Sequence, residues 1–108
     1  MFVEEKTQGE VVRELDDAAK ILLKAADLIE QRGHCKNAYQ SMDGRLCALG
    51  AIRVASGFDA NSLSCYSVVN TPAMRVALAV DDSVHFWNDE PERTAAEVVA
   101  TLRSVALS

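Results

Sequence analysis

The sequence predicts an all-α domain, a compact bundle of four to five helices. Apolar residues recur at helical spacing in separate segments, helix start and stop signals bound those segments, and the connections between them are short. A length of 108 residues and a hydrophobic content of 49% fit one small globular core. Residues 1–9 lack a clear period, so we predict a flexible N-terminal tail before a single helical domain over residues 10–108.

The first helix is predicted from about Val11 to Arg32, and Gly33 follows at the position where a helix C-terminus favours a residue without Cβ. Its apolar side chains repeat at spacings of three and four residues: Leu15, Ala18, Ala19, Leu22, Ala25, Ala26 and Ile29. After this helix comes a connector over residues 34–46. Asp43-Gly44 is typical of a tight turn, around which residues 38–40 and 45–47 are predicted to form at most one very short β-hairpin.

A central buried helix is predicted over residues 46–56, followed by Gly57. Arg53 is the only charged residue in this segment, and a helix that is apolar on nearly all sides is typical of a core. Gly50 lowers the helix propensity by about 1 kcal/mol relative to Ala. A glycine in such a helix indicates that a neighbouring segment approaches it closely.

Two further helices are predicted toward the C-terminus. Residues 58–70 are interpreted as a loop with one helical turn near residues 63–67, and Thr71-Pro72 as the start of a helix that ends near Val80. A short turn through Val84, Phe86 and Trp87, capped by Asp82 or Ser83, precedes a break at residues 88–91. Thr94 and Glu97 have the spacing of a capping box for a last helix over about residues 95–106.

The charge is distributed unevenly around a net value of −5. Residues 81–92 contain five acids and no Lys or Arg, whereas residues 31–58 contain four bases and one acid. This argues against nucleic-acid binding, because such proteins neutralise phosphates with many Lys and Arg side chains. No apolar run reaches the roughly 20 residues of a membrane span, and no secretory signal is predicted. Three cysteines, an odd number, then favour free thiols in the cytoplasm.

Three segments together carry a resemblance: Ala-Ala-Asp-Leu-Ile-Glu-Gln-Arg-Gly at 25–33, Asp-Gly-Arg-Leu-Cys-Ala-Leu-Gly-Ala-Ile at 43–52, and Trp-Asn-Asp at 87–89 with Arg-Thr-Ala-Ala-Glu-Val-Val at 93–99. Their order and spacing resemble a family of small uncharacterised proteins found mostly in actinobacteria and their phages. The resemblance covers roughly residues 14 to 106. It implies one compact domain in an actinobacterial or phage setting, and it implies no substrate. Family members often carry Trp at the position of His34, which implies packing there.

Cys47 is the first candidate for chemistry, because it lies at the start of a predicted helix, where backbone N–H groups lower the pKa of a thiol. His85, Asn88 and Asp89 follow it along the chain, in the Cys, His, Asn order of papain-like enzymes. The alternative is that Cys47 is a core thiol, because apolar residues surround it and free cysteines are commonly buried.

The segment Trp87-Asn88-Asp89 is the second candidate, and it contains the only Trp of the chain. It could form an aromatic anchor with acceptors for a ligand or a basic partner. Alternatively, Trp87 fills the core while Asn88 and Asp89 hold backbone N–H groups in a turn. Tyr39 and Arg53 complete the predicted binding residues, and Asp89 is the predicted ionic partner of Arg53 because a buried charge needs one.

A metal site is not expected. His34 and Cys35 are adjacent, and the residues that would have to complete a ligand set, Cys47, Cys65 and His85, show no paired spacing typical of zinc sites. No glycine-rich phosphate loop is present either, so no cofactor is predicted.

The sequence therefore favours a small helical binding or accessory protein that acts through a protein partner or by self-association, using residues 81–92 and 34–46. One alternative is a cysteine-dependent hydrolase or transferase that uses Cys47 with His85. Another is a small-molecule-binding protein with a pocket near Trp87.

Overall fold

The computed structural model of the protein describes residues 15–62 and 66–108, with side chains throughout these ranges except at residues 66–68. Five helices follow one another in the described part of the chain: α1 (Asp17–Arg32), α2 (Ala48–Ala55), α3 (Tyr66–Val80), α4 (Val84–Asp89) and α5 (Ala95–Leu107). In these ranges, extended pairing is limited to isolated bridges from Leu46 to His34 and to Gln40. The predicted all-α bundle is confirmed, and the predicted hairpin is reduced to one antiparallel bridge. None of the described helices is long and apolar enough to cross a membrane.

Helix α1 lies at the centre of the bundle and packs mainly against α5 and α2. Its buried residues are those that the periodicity predicts, apart from the partly exposed Leu15: Ala18, Ala19, Leu22, Ala25, Ala26 and Ile29. Four of these six side chains are alanines, which let the neighbouring helix backbones approach closely. Arg103 of α5 reinforces the α1–α5 contact by binding Asp27 at 2.9 Å and Glu30 at 2.7 Å.

Helix α1 begins later than the periodicity predicts. Leu15 precedes the helix, and Asp16 is the N-cap, with its Oδ1 accepting a hydrogen bond from the Ala19 N–H at 2.9 Å. Residues 11–14 of the predicted helix lie outside the described residues. Two hydrogen bonds from Arg75 of α3 lower the pKa of Asp16 to about 2, so this carboxylate both caps α1 and links it to α3.

Helix α2 confirms the prediction that a neighbouring segment approaches Gly50. A Cβ at this position would lie 2.1 Å from the carbonyl oxygen of Tyr39. The same carbonyl accepts a hydrogen bond from the Cys47 N–H at 3.2 Å, so the connector backbone lies directly on the first turn of α2. Gly57 follows the last turn with φ of +94°.

Helix α3 contradicts the prediction that residues 58–70 form a loop and that Thr71 and Pro72 start the third helix. The helix already begins at Tyr66 and contains Pro72 in its interior. An interior proline costs one backbone hydrogen bond, typically about 3 kcal/mol. Val69, Pro72 and Val76 lie at helical spacing and are all buried, so core packing offsets this cost. Residues 63–65 of the predicted helical turn lie outside the described residues.

Helix α4 extends two residues further than predicted and includes Asn88 and Asp89. The helix therefore ends at Asp89, and Glu90 is its C-cap. Its N-cap is Ser83, one of the two predicted caps, whose Oγ accepts from the Phe86 N–H. The capping box of α5 is confirmed. The Glu97 N–H donates to Thr94 Oγ1 at 3.1 Å, and the Thr94 N–H donates to Glu97 Oε1 at 2.9 Å.

The close approach at Gly50 predicts that Gly50→Ala destabilises the protein. Helix propensity alone would stabilise it by about 1 kcal/mol. We expect instead a loss of about 2 kcal/mol in the free energy of unfolding, because the Cβ would push the Tyr39 carbonyl away. Urea denaturation measures the loss, and hydrogen exchange at the Cys47 amide locates it.

Gly57→Ala is the matched control. It adds the same methyl group at a site where no atom lies within 4 Å, so only its positive φ contributes a cost. It should leave exchange at the Cys47 amide slow. A Gly50→Ala protein as stable as the wild type would show that the carbonyl is not held against α2.

Candidate functional site

A pocket of about 390 Å³ lies between the connector and helix α4. It brings together four residues that the sequence singles out, Tyr39, Cys47, His85 and Asp89, with Asn37 and Ala38 completing the lining. The two contributing segments, residues 37–47 and 85–89, are far apart in the sequence. Their meeting also joins the basic middle of the chain to the acidic segment over residues 81–92.

Asn88 does not line this pocket; it is fully buried and connects three segments. Its Oδ1 accepts from the Ala48 N–H at 2.8 Å, and its Nδ2 donates to the Cys35 carbonyl at 3.1 Å. These two contacts fix the orientation of the amide. Since Oδ1 is the acceptor, His34 Nε2, which lies 2.7 Å away, carries a proton and donates to it. Asn88, which the sequence suggests for catalysis or binding, therefore holds together the segments around the pocket.

Asp89 joins α4 to the opposite wall of the pocket. Its Oδ1 accepts from the Asn88 Nδ2 at 2.9 Å and from the Asn37 N–H, also at 2.9 Å. Asn37 has φ of +64°, a left-handed conformation that asparagine tolerates better than most residues. The carboxylate thus holds the connector in the bend that opens the pocket. Lys36 adds a second link by donating to the carbonyls of Glu90 and Pro91 at 2.6 and 3.0 Å.

The predicted ion pair between Arg53 and Asp89 is wrong. The Arg53 guanidinium lies over the Tyr39 ring, 4.1 Å from its centroid, and donates to the Ala60 carbonyl at 3.0 Å. A half-buried guanidinium can be satisfied by an aromatic face and a backbone carbonyl, so no carboxylate is needed. Arg53 supports the pocket indirectly, by packing on one of its lining residues.

Cys47 is buried and forms the N-cap of α2. It is 3% exposed, and its Sγ accepts from the Gly50 N–H at 3.3 Å at the N-terminus of α2. Burial raises the pKa of the thiol to about 11, which outweighs the lowering by the helix N–H groups. Burial also raises the pKa of Cys35, while Cys65 lies outside the described residues.

Trp87 packs in the core instead of lining the pocket. The Arg93 guanidinium covers its ring at 4.5 Å from the centroid, and Arg93 Nε donates to the Trp87 carbonyl at 3.0 Å. This arrangement agrees with the structural interpretation of Trp87. The pocket instead lies on the side of α4 that presents His85 and Asp89.

Sequence reasoning missed two contributions to the site. Asn37 and Ala38 carried no recognisable motif, although an asparagine in a polar connector is a common site of positive φ. For His34 the sequence suggested a metal ligand or a packing residue, whereas its ring bonds to the Asn88 side chain. Among the described residues, no group of three or more His, Cys, Asp or Glu side chains could hold a metal ion.

The buried amide predicts that Asn88→Ala destabilises the protein strongly. The Ala48 N–H and the Cys35 carbonyl would lose their partner without access to water, at a cost of about 3 kcal/mol or more. Thermal and urea unfolding measure the loss.

Asn70→Ala is the control for this change. The Asn70 amide contacts Met74 Sδ on the exposed side of α3, so its removal should change stability by less than about 0.5 kcal/mol. Equal stability losses in the two variants would contradict the role assigned to Asn88.

Comparison with known proteins adds a family and no activity. No curated protein and no solved structure matches this chain. Residues 13–107 match a family of unknown function, DUF6197. This match covers most of the chain and includes every residue of the pocket. The chain therefore belongs to the DUF6197 family.

Proposed function

We propose that the protein is a non-catalytic binding module that recognises a protein partner through the pocket between the connector and α4. The observation that carries this proposal is the joint lining of one pocket by two segments whose mutual position is fixed by Asn88 and Asp89. Such preorganised walls lower the ordering cost of binding. An actinobacterial or phage setting, and a cytoplasmic location, complete the proposal.

Exposed hydrophobic side chains in the same two segments support a protein partner over a small molecule alone. Phe86 is 64% exposed, and its ring centroid lies 4.4 Å from that of His85, a lining residue. Met42 is fully exposed in the turn of the connector. Aromatic and methionine side chains are enriched in interfaces between proteins. The two segments that line the pocket thus also offer apolar side chains that a partner surface would cover.

Amide chemical-shift mapping tests this proposal. A nitrogen-labelled sample is titrated with small-molecule fragments and with capped tripeptides that present each type of side chain. We expect saturable shifts at the pocket amides, including Ala38, Cys47 and Asp89, and recovery of every probe chemically unchanged.

A second depression of about 400 Å³ between α1 and α5, lined by Glu30, Ala96 and Arg103 among others, provides an internal control. It has a similar volume but belongs to neither of the two segments. Saturable shifts only at the amides of this depression, or at no amides at all, would overturn the proposed function.

A cysteine-dependent enzyme is the second candidate, because Cys47 and His85 line the same pocket. A nucleophilic thiol must ionise near neutral pH, and a pKa of about 11 leaves Cys47 protonated. The binding function therefore ranks first.

Alkylation separates the two candidates. We expect Cys47 to remain unmodified by iodoacetamide at pH 8 in the native protein and to react fully in urea, because burial both protonates and covers it. Peptide mass mapping identifies the modified residue. Rapid native modification of Cys47, slowed by His85→Ala, would favour the enzyme.

A further inference from the structure

We infer that the pocket takes a cationic group, an ammonium or a guanidinium, with the Asp89 carboxylate as its ionic partner. This inference rests on the proposed binding function and specifies the chemistry of what is bound. The groups around the pocket support it in three ways: by the charge they carry, by the hydrogen bonds they already make, and by the aromatic side chain among them.

The formal charge in the pocket lining comes from Asp89, whose side chain is partly exposed. Two internal donors, Asn37 N–H and Asn88 Nδ2, bind its Oδ1. The described residues provide no hydrogen bond to Oδ2, so the second carboxylate oxygen is available to a ligand. Carboxylate hydrogen bonds to charged donors are stronger than those between neutral groups.

Several groups that would attract an anion are already bound within the protein. At the N-terminus of α2, the Ala48 N–H is bound by Asn88 and the Gly50 N–H by the Cys47 sulfur. Two basic side chains close to the lining, Lys36 and Arg53, are bound as well. Lys36 binds two carbonyl groups, and Arg53 binds the Tyr39 ring and the Ala60 carbonyl. Among the described residues, Asp89 Oδ2 thus accepts no hydrogen bond, whereas these donors and cations are already bound.

The Tyr39 ring adds an aromatic surface to the carboxylate. Arg53, which does not line the pocket, covers one face of this ring at 4.1 Å from its centroid, so a bound cation would use the ring surface that Arg53 leaves uncovered. The pocket volume of about 390 Å³ exceeds that of a bare ammonium. A long basic side chain, with an apolar stem beside Ala38 and Tyr39 and its charge at Asp89, matches these features.

The test compares probes of similar shape and different charge. Butylammonium and butylguanidinium are titrated against pentanamide, which is neutral, and pentanoate, which is anionic, with the pocket amides as the readout. We expect saturable binding of the two cations that weakens with added salt, and much weaker binding of the other two probes. Tighter binding of pentanamide or pentanoate would overturn the inference while leaving the proposed binding function standing.

Asp89→Asn isolates the charge, because asparagine keeps an Oδ1 that accepts from the Asn37 N–H. We expect about tenfold weaker binding of butylguanidinium, as loss of one charged hydrogen bond implies. Glu92→Gln is the matched control, since it removes one negative charge from the same acidic segment at an exposed residue outside the pocket lining. It should leave the affinity within about twofold, since exposed charges contribute little.

His85→Glu provides a variant that gains affinity. His85 is exposed, so this substitution should leave the fold intact and add a second carboxylate to the pocket. We expect tighter binding of both cations. Equal affinity of Asp89→Asn and the wild type, or no gain in His85→Glu, would contradict the role of the carboxylate.

Capped peptides with a central Lys or Arg identify the source of the cation. Peptide binding tighter than that of free butylammonium or butylguanidinium assigns the site to a basic side chain of a protein partner. Peptide binding weaker than that of the free cations assigns the cationic site to small amines and would overturn the protein-partner part of the proposal.

Discussion

The buried amide of Asn88 is the interaction on which the rest of the site depends. It is the fully buried polar side chain of the described core, and its four hydrogen bonds reach His34, Cys35, the first turn of α2 and Asp89. Each such bond contributes about 1 kcal/mol net, but an unsatisfied buried partner costs more. The connector, α2 and α4 are therefore constrained together, because any displacement of one segment would leave a buried donor or acceptor without a partner.

The absence of a side chain at Gly50 also lets the connector pack directly against α2. The Tyr39 carbonyl occupies the space of the missing Cβ, which brings the connector within hydrogen-bonding distance of the Cys47 N–H. Cys47 then caps α2 with its sulfur while it lines the pocket. Its burial is thus a consequence of how the pocket is built, and the same burial keeps the thiol protonated. Cys47, the first candidate for chemistry in the sequence, thus has a structural role as the N-cap of α2.

Local sequence signals predict most of the helices, whereas they do not predict the contacts between distant segments. The face of α1, the capping box of α5 and the close approach at Gly50 each depend on residues near one another in the chain. The start of α3 was missed because Pro72 is a reliable local signal that core packing overrides here. The partners of Arg53 are an aromatic face and a carbonyl, which no pattern of charges records. Residue type alone suggested Tyr39, Cys47, His85 and Asp89, but their meeting in one pocket depends on the path of the connector.

The hydrogen bonds of the polar groups support the proposed binding function over the cysteine-dependent alternative. Catalysis needs a group that changes its protonation or bonding during the reaction, and such a group must be free to do so. Asn88, His34 and Cys47 are instead committed to internal hydrogen bonds whose loss would release the walls of the pocket. Asp89 contributes both to the internal structure and to the proposed binding. Its Oδ1 holds the connector, and the described residues make no hydrogen bond to Oδ2. One carboxylate therefore shapes the pocket and presents a charge to it, so a cation bound at Oδ2 would meet an acceptor whose position the fold has already fixed.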